Sequence, residues 1–213
     1  MTVVYLMRHS KGKLERENKN ISESFQITNE KYILSVEGER LAFAYSKLKE
    51  LHGLSGVFSS NYVRTMATAK YVAFNNKLPL IIDEDFNERV FGIEKREDLP
   101  ADFFKKQIAN RDYKLNNGES FNEVCERMYF ALKSVLKKYK GKKIFIASHG
   151  TAIGMLFSKI AKVSFYDEEN YNRGIYFNDK LIFDGKCDAP ELFKLEYEDE
   201  KLVDVKNIKI KYE

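Results

Sequence analysis

Thr2-Val-Val-Tyr-Leu-Met-Arg-His-Ser10 opens the chain, and Lys143-Ile-Phe-Ile-Ala-Ser-His-Gly150 follows the same plan further along. Each is an apolar run without polar alternation, the pattern of a strand covered on both faces as in a parallel sheet. Each then breaks into a polar group containing a histidine. Two shorter runs, Gly56-Val-Phe58 and Leu80-Ile-Ile82, read as further strands. Helical patterns separate them. Ser35-Val-Glu-Gly38 opens a helix with Leu41, Ala44, Leu48 and Leu51 at helical spacing, and Gly53 ends it. Asn61 is read as the cap of the next helix, which carries Val63, Ala67, Tyr71 and Val72. A long amphipathic helix runs from about Ser120 to Tyr139 with Val124, Met128, Ala131 and Val135 on one stripe; Ser120 and Glu123 form a capping box. Gly150 to Ala161 is a strongly apolar helix.

Strands alternating with helices predict an α/β fold: three layers, α/β/α, with a mostly parallel central sheet flanked by helices. Residues 10–31 read as a polar loop, and about 83–118 as a loop-rich insertion with one helix near Phe103-Phe104. The last fifty or so residues alternate in short runs around Ile175, Ile182, Phe193 and Val203, with turns at Asn178-Asp179 and Asp199-Glu200. They predict antiparallel strands at the sheet's edge. No internal repeat or linker divides the chain, so residues 1–213 read as one domain.

Composition narrows the classes. The 213 residues are 44% hydrophobic and 32% charged, too apolar for a disordered chain. With 36 Lys+Arg against 32 Asp+Glu the net charge is only +4, an ordinary surface rather than a nucleic-acid footprint. The lysine cluster from Lys133 to Lys143 lies where a helix ends and suits its dipole; no stacking aromatics are interleaved. Cys125 and Cys187 are far apart with no CxxC, which points to neither zinc nor a disulfide framework and fits a reducing compartment. The N-terminus reaches Arg8 before a signal-peptide core can form. The uncharged stretch Ile144 to Ser158 is short of the roughly 20 residues of a spanning helix. The cytoplasm is the expected location, with no membrane and no nucleic acid as partner.

In an open α/β sheet ligands collect beyond the carboxyl ends of the strands. There the sequence places Arg8-His9-Ser10, Ser59-Ser60 with Arg64 one turn on, and Ser148-His149-Gly150. If those strands are neighbours, two histidines and two arginines share one pocket. Two guanidinium forks bind a tetrahedral dianion bidentately. A neutral imidazole in line with phosphorus is a nucleophile, giving a phosphohistidine, and a second, charged histidine would stabilise the equatorial oxygens. A carboxyl in the loop-rich insertion would protonate the leaving oxygen. Ser59 and Ser60 fit either a turn or hydrogen bonds to phosphate. His52, the third histidine, sits at a helix end and reads as a surface residue.

These residues resemble the histidine phosphatase superfamily, the phosphoglycerate mutase-like family. Met7-Arg8-His9-Ser10 is similar to its Arg-His-Gly signature, and Leu34-Ser35-Val36-Glu37-Gly38 to its Leu-Thr-x-x-Gly segment. Ser60-Asn61-Tyr62-Val63-Arg64 with Thr68-Ala69 resembles Ser-x-Leu-x-Arg-Ala-x-x-Thr-Ala. Asn87-Glu88-Arg89-Val90-Phe91-Gly92 resembles its Asn-Glu-Arg-x-aromatic-Gly segment, Gly118-Glu119-Ser120 with Arg127 its Gly-Glu-Ser helix start, and Ser148-His149-Gly150 its second histidine motif. The matches come in family order from residue 2 to about 160. The resemblance implies His9 as nucleophile, Arg8, Arg64 and His149 as phosphate ligands, and Glu88 as proton donor. Arg89 and Ser10 are further candidate substrate contacts. It implies no metal and no cofactor, and a small-molecule phosphate ester as substrate.

The chain departs from the pattern in places. Ser10 replaces the glycine, and Gly12 and Glu15 stand where the family's Arg-His-Gly-x-Thr-x-x-Asn has threonine and asparagine; a carboxylate at Glu15 pointing inward would repel phosphate. The stretch between Gly92 and Gly118 is shorter than in cofactor-dependent phosphoglycerate mutases. That favours a metal-independent phosphatase, with a mutase as the first alternative. A catalytically weak relative that binds a phosphorylated ligand is the second.

Overall fold

β1 (Thr2–Arg8) carries no polar alternation because both its faces are covered. In the computed structural model, which describes residues 1–13, 23–167, 172–185 and 188–210, the side chains follow the two-residue period of a strand. Val4 and Leu6 enter one core with Ile144 and Ile146. Val3, Tyr5 and Met7 enter another with Phe145 and Ala147. β4 (Lys143–Ser148) runs parallel to β1 with Arg8 opposite Ser148. On its other side β2 (Gly56–Ser59) runs parallel with Ser59 opposite Ala147, and β3 (Leu80–Ile82) follows. β8 (Glu191–Glu198) and β9 (Lys201–Ile208) extend the sheet antiparallel beyond β1, giving the order β3-β2-β4-β1-β8-β9.

Helices cover both faces. α2 (Val36–Ser46) and α3 (Val63–Asn76) bury Tyr45, Ala69, Val72 and Ala73 against the Tyr5 and Met7 side. α5 (Phe121–Lys138) and α6 (Gly150–Ile160) cover the other; the expected stripe Val124, Met128, Ala131 and Val135 is buried there, and the Ser120–Glu123 capping box is complete. Ser35 caps α2 by accepting from Gly38 N at 2.9 Å. Gly38 lies under the Lys11 carbonyl, where an added Cβ would come within 1.9 Å of the oxygen. The segment after His9 can therefore lie flat on the start of α2. Among the described residues no helix is long and apolar enough to cross a membrane.

Four expectations need correction. A short helix, α1 (Phe25–Lys31), stands where the pattern predicts loop. It lacks an apolar stripe and is held by tertiary contacts: Phe25 N donates to Glu94 O at 2.7 Å, and the Phe25 ring meets Phe91 edge-on. Asn61 does not cap α3; Tyr62 occupies the cap position and Ser60 Oγ accepts its N–H, while Asn61 N is turned to Asn87 Oδ1. α2 stops at Ser46, and Leu51 is carried on a separate 3-10 turn, Lys49–Leu51. The C-terminal strands also divide. Only β8 and β9 join the main sheet, whereas β6 (Asn172–Phe177) and β7 (Lys180–Gly185) pair with β5 (Lys162–Asp167), a strand the sequence reading omits, in a separate sheet. Ile175 and Phe183 bury that sheet against the main core, which one-dimensional alternation does not encode. The expected hairpin turns are present, with Asn178, Asp179, Asp199 and Glu200 all in left-handed conformation. The insertion contains two 3-10 turns, Glu84–Phe86 and Arg96–Asp98, and α4 (Phe103–Ala109).

Candidate active site

Because β2, β4 and β1 are adjacent, the residues leaving their carboxyl ends meet. The ladder continues one residue past the strands: His9 N donates to Ser148 O at 2.9 Å and Ser60 N to Ala147 O at 3.2 Å. This brings His9 and His149 together, ring centres 5.3 Å apart and steeply inclined.

The hydrogen bonds define each ring's tautomer. His9 Nδ1 lies 2.8 Å from the Ser10 carbonyl oxygen, which only accepts, so Nδ1 carries the hydrogen and Nε2 keeps its lone pair. Burial, then the charges of Arg64 and Arg8, hold His9 well below the usual histidine range, so it is neutral near pH 7. His149 is fully buried. Its Nδ1 accepts from an Arg64 terminal nitrogen at 3.1 Å, so Nε2 bears the hydrogen and donates to Ser60 Oγ at 2.8 Å. Burial, Arg64, His9, Arg8 and Arg127 all keep it neutral. In this arrangement the second histidine, expected to be charged, is neutral, because an Arg64 N–H donates to its Nδ1.

Arg64 is buried on α3. Its guanidinium also donates to Asn29 O of α1 at 2.5 Å and lies 4.8 Å over the Tyr62 ring. Arg8, at the end of β1, rests on Gly150; an added Cβ there would sit 3.3 Å from Arg8 Nε. Glu88 reaches the N-terminus of α6, its carboxylate accepting from Ala152 N at 3.1 Å, Thr151 N at 3.2 Å and Arg89 N at 2.9 Å. Ser10 is fully buried beside His9, its N–H donating to Thr68 Oγ1 at 2.9 Å.

Arg89 does not join this group. It is 1% exposed, hydrogen-bonded to Gln107, with its guanidinium between 4.4 and 5.4 Å from the rings of Phe91, Phe103, Phe104 and Phe121. An aromatic cage of this kind holds the 83–118 segment together and makes Arg89 a core residue. Glu15 and Cys187 lie outside the described residues. His52 is exposed. Among the described residues no group of three or more His, Cys, Asp and Glu is arranged to hold a metal ion. A cleft of about 950 Å³ opens beyond Arg8 and His9, walled by Lys11, Tyr32, Ser35, Glu37 and Asp188.

Residues 4–173 match the family model of the histidine phosphatase superfamily (branch 1). The chain belongs to the histidine phosphatase superfamily. It is 30% identical over 175 residues, 79% of each chain, to a probable phosphoglycerate mutase GpmB of Cronobacter sakazakii. To the protein of that name from Klebsiella pneumoniae it is 28% identical over the same span. Its fold is similar to Bacillus stearothermophilus YhfR (TM-score 0.66, 19% identity, 95% of each chain). It is also similar to a mycobacterial glucosyl-3-phosphoglycerate phosphatase (TM-score 0.66, 17% identity, 96% of each chain). A phosphoserine phosphatase of Entamoeba histolytica is a third such neighbour (TM-score 0.64, 17% identity, 95% of this chain and 94% of that one).

Three members of the site in this histidine phosphatase escape sequence reasoning. Ser60, left open between turn and ligand, is the partner of His149. Tyr62 is fully buried with its ring centre 4.6 Å from that of His149, and Gln26 of α1 donates to its hydroxyl at 2.7 Å. Burial pushes that phenol up to about 12. A signal existed here, since a tyrosine stands where the family pattern has leucine. Asn29 contributes a backbone carbonyl, which no side-chain pattern reports.

Proposed function

We propose that this histidine phosphatase is a metal-independent phosphomonoesterase working through a phosphohistidine on His9. The observation that carries the reading is the tautomer of His9. Its Nδ1–H is spent on the Ser10 carbonyl, and the free Nε2 lone pair is kept unprotonated by burial and two arginines. Arg8 and Arg64 bind the phosphate dianion; as Arg64 turns to it and releases His149 Nδ1, the added negative charge lets His149 take up a proton there and donate to an equatorial oxygen. His9 Nε2 forms a bond to phosphorus as the ester P–O bond breaks, and Glu88 passes a proton to the departing oxygen. Water then attacks the phosphohistidine, Glu88 taking its proton, and inorganic phosphate leaves with His9 restored. Ser10, one residue from the nucleophile, is read as a contact to the bound phosphate. The leaving group occupies the cleft beside Lys11 and Tyr32, which accommodates a small-molecule ester. Phosphatases of phosphoserine and glucosyl-3-phosphoglycerate share the fold and support the reading. We place the enzyme in the cytoplasm, as two widely spaced cysteines without a CxxC fit a reducing compartment.

A second reading, phosphoglycerate mutase, is favoured by the names of the relatives near 30% identity. It requires the phosphoryl group on His9 to return to a substrate hydroxyl rather than to water.

The test is hydrolysis of p-nitrophenyl phosphate in excess EDTA, wild type beside His9→Ala, with an alkaline quench to retain phosphohistidine. The wild type is expected to turn over and carry an acid-labile label. His9→Ala should lose activity by on the order of a thousandfold or more and lose the label. A label surviving in His9→Ala would remove His9 from the nucleophile's role. Interconversion of phosphoglycerates outrunning hydrolysis would replace the phosphatase by the mutase.

A further inference from the structure

Arg127, in the second turn of α5, lies outside the cleft, yet its guanidinium is committed to four directed hydrogen bonds. Nε and one terminal nitrogen form a bidentate pair with Glu119 at 2.8 and 2.9 Å. The other terminal nitrogen donates to the carbonyls of Asp85, at 2.7 Å, and Asn87, at 3.2 Å. Glu119 is shared in turn: its Oε2 accepts from Val90 N at 2.9 Å, and its own N–H donates to Val90 O at 2.9 Å. The clamped backbone groups thus belong to residues 85, 87 and 90, on both sides of Glu88. Both side chains of the pair are about one-fifth exposed, so solvent screens them less than a surface pair. A planar fork with five donors can meet a carboxylate and two carbonyls at once, which a lysine ammonium cannot do in the same geometry.

We infer that the Glu119–Arg127 pair is a positioning device for Glu88, holding its loop so that the carboxyl meets both the α6 N-terminus and the departing oxygen. This rests on reading Glu88 as the proton donor. The pair touches neither substrate nor phosphate; it sets where the proton donor stands. A small displacement of a proton donor costs tens-fold in rate, and that cost falls on esters whose leaving oxygen needs the proton.

The experiment compares kcat and KM for an alkyl phosphate, β-glycerophosphate, and an activated aryl ester, p-nitrophenyl phosphate. The proteins are wild type, Glu88→Gln, Glu119→Gln, Arg127→Met, Arg127→Lys, and the double variant Glu88→Gln/Glu119→Gln, with melting temperatures for all. Glu119→Gln and Arg127→Met are expected to lower kcat on the alkyl ester by on the order of tenfold or more while leaving KM and the aryl ester nearly unchanged. Arg127→Lys should fall between them and wild type. In the Glu88→Gln background Glu119→Gln should cost nothing further, because its effect passes through the missing acid. Should Arg127→Met fail to fold, the isosteric Glu119→Gln carries the test. Equal losses on the two esters, or an undiminished loss in the double variant, overturns the positioning role. A Glu88→Gln that does not discriminate between the esters overturns instead the reading of Glu88 as the acid.

Discussion

Acidification should weaken this fold through its two buried histidines, and the size of the effect follows from their surroundings. Burial, Arg64 and Arg8 depress His9; burial, Arg64, His9, Arg8 and Arg127 depress His149. In the unfolded chain both return to the ordinary value of 6.5. As the pH falls through 6.5 the unfolded state gains a proton on each, and the folded state gains none until its lower values are reached. Excess protons on the unfolded side mean that stability is complete above that value and is lost as the pH falls below it. Between about pH 7.5 and about pH 5.5 each histidine that stays neutral in the fold removes on the order of 1 kcal/mol, and the pair roughly twice that. Urea unfolding at both pH values, for wild type, His9→Asn and His149→Gln, isolates this contribution. Glu191, whose carboxyl is raised by burial, and the lysine-paired surface carboxylates Asp199 and Glu200 are common to all three proteins and cancel in the difference. Each variant is expected to recover on the order of 1 kcal/mol of the wild-type loss. An identical pH dependence in the three proteins would refute the claim that the site keeps its histidines neutral.

Two glycines give further checks. Gly150→Ala would place a methyl 3.3 to 3.4 Å from the Arg8 guanidinium, forcing it aside by a few tenths of an ångström. KM for phosphate esters should rise by about threefold to tenfold with little change in melting temperature, and an unchanged KM would show that Arg8 is not held on that surface. Gly38→Ala meets the Lys11 carbonyl at 1.9 Å, where only backbone movement relieves the clash. A loss of about 2–3 kcal/mol in urea unfolding is expected, and a neutral result would mean that residues 11–13 detach from α2 at no cost.

Much of the site was legible because its chemistry sits where strands end. His9 and His149 follow two uniformly apolar runs, and Arg64 lies at the start of α3, the helix after β2, so placement at one sheet edge followed once the order β2-β4-β1 held. Glu88 was legible only through its family segment, and the same segment misplaced Arg89. An arginine beside an acid reads as a ligand in one dimension, but four phenylalanine rings and Gln107 enclose it. α1 was illegible because seven polar-rich residues have no amphipathic stripe; Arg64 and Glu94 supply what its own pattern lacks.

The sequence by itself determined the parallel core, the helix starts at Ser35 and Ser120, the places of the two C-terminal hairpin turns and the types of residue gathered at the sheet edge. These are local properties: apolar periodicity, a hydroxyl before a helix, and polar turn residues between short apolar runs. Only the tertiary structure decided which ring nitrogen of each histidine carries the hydrogen, that Ser60 and Tyr62 enclose His149, and that Glu119 and Arg127 clamp the loop of Glu88. Tautomers, buried charges and backbone clamps depend on atoms many residues apart in the chain. Their energies arise when folding removes water from between those atoms, and no local pattern encodes that step.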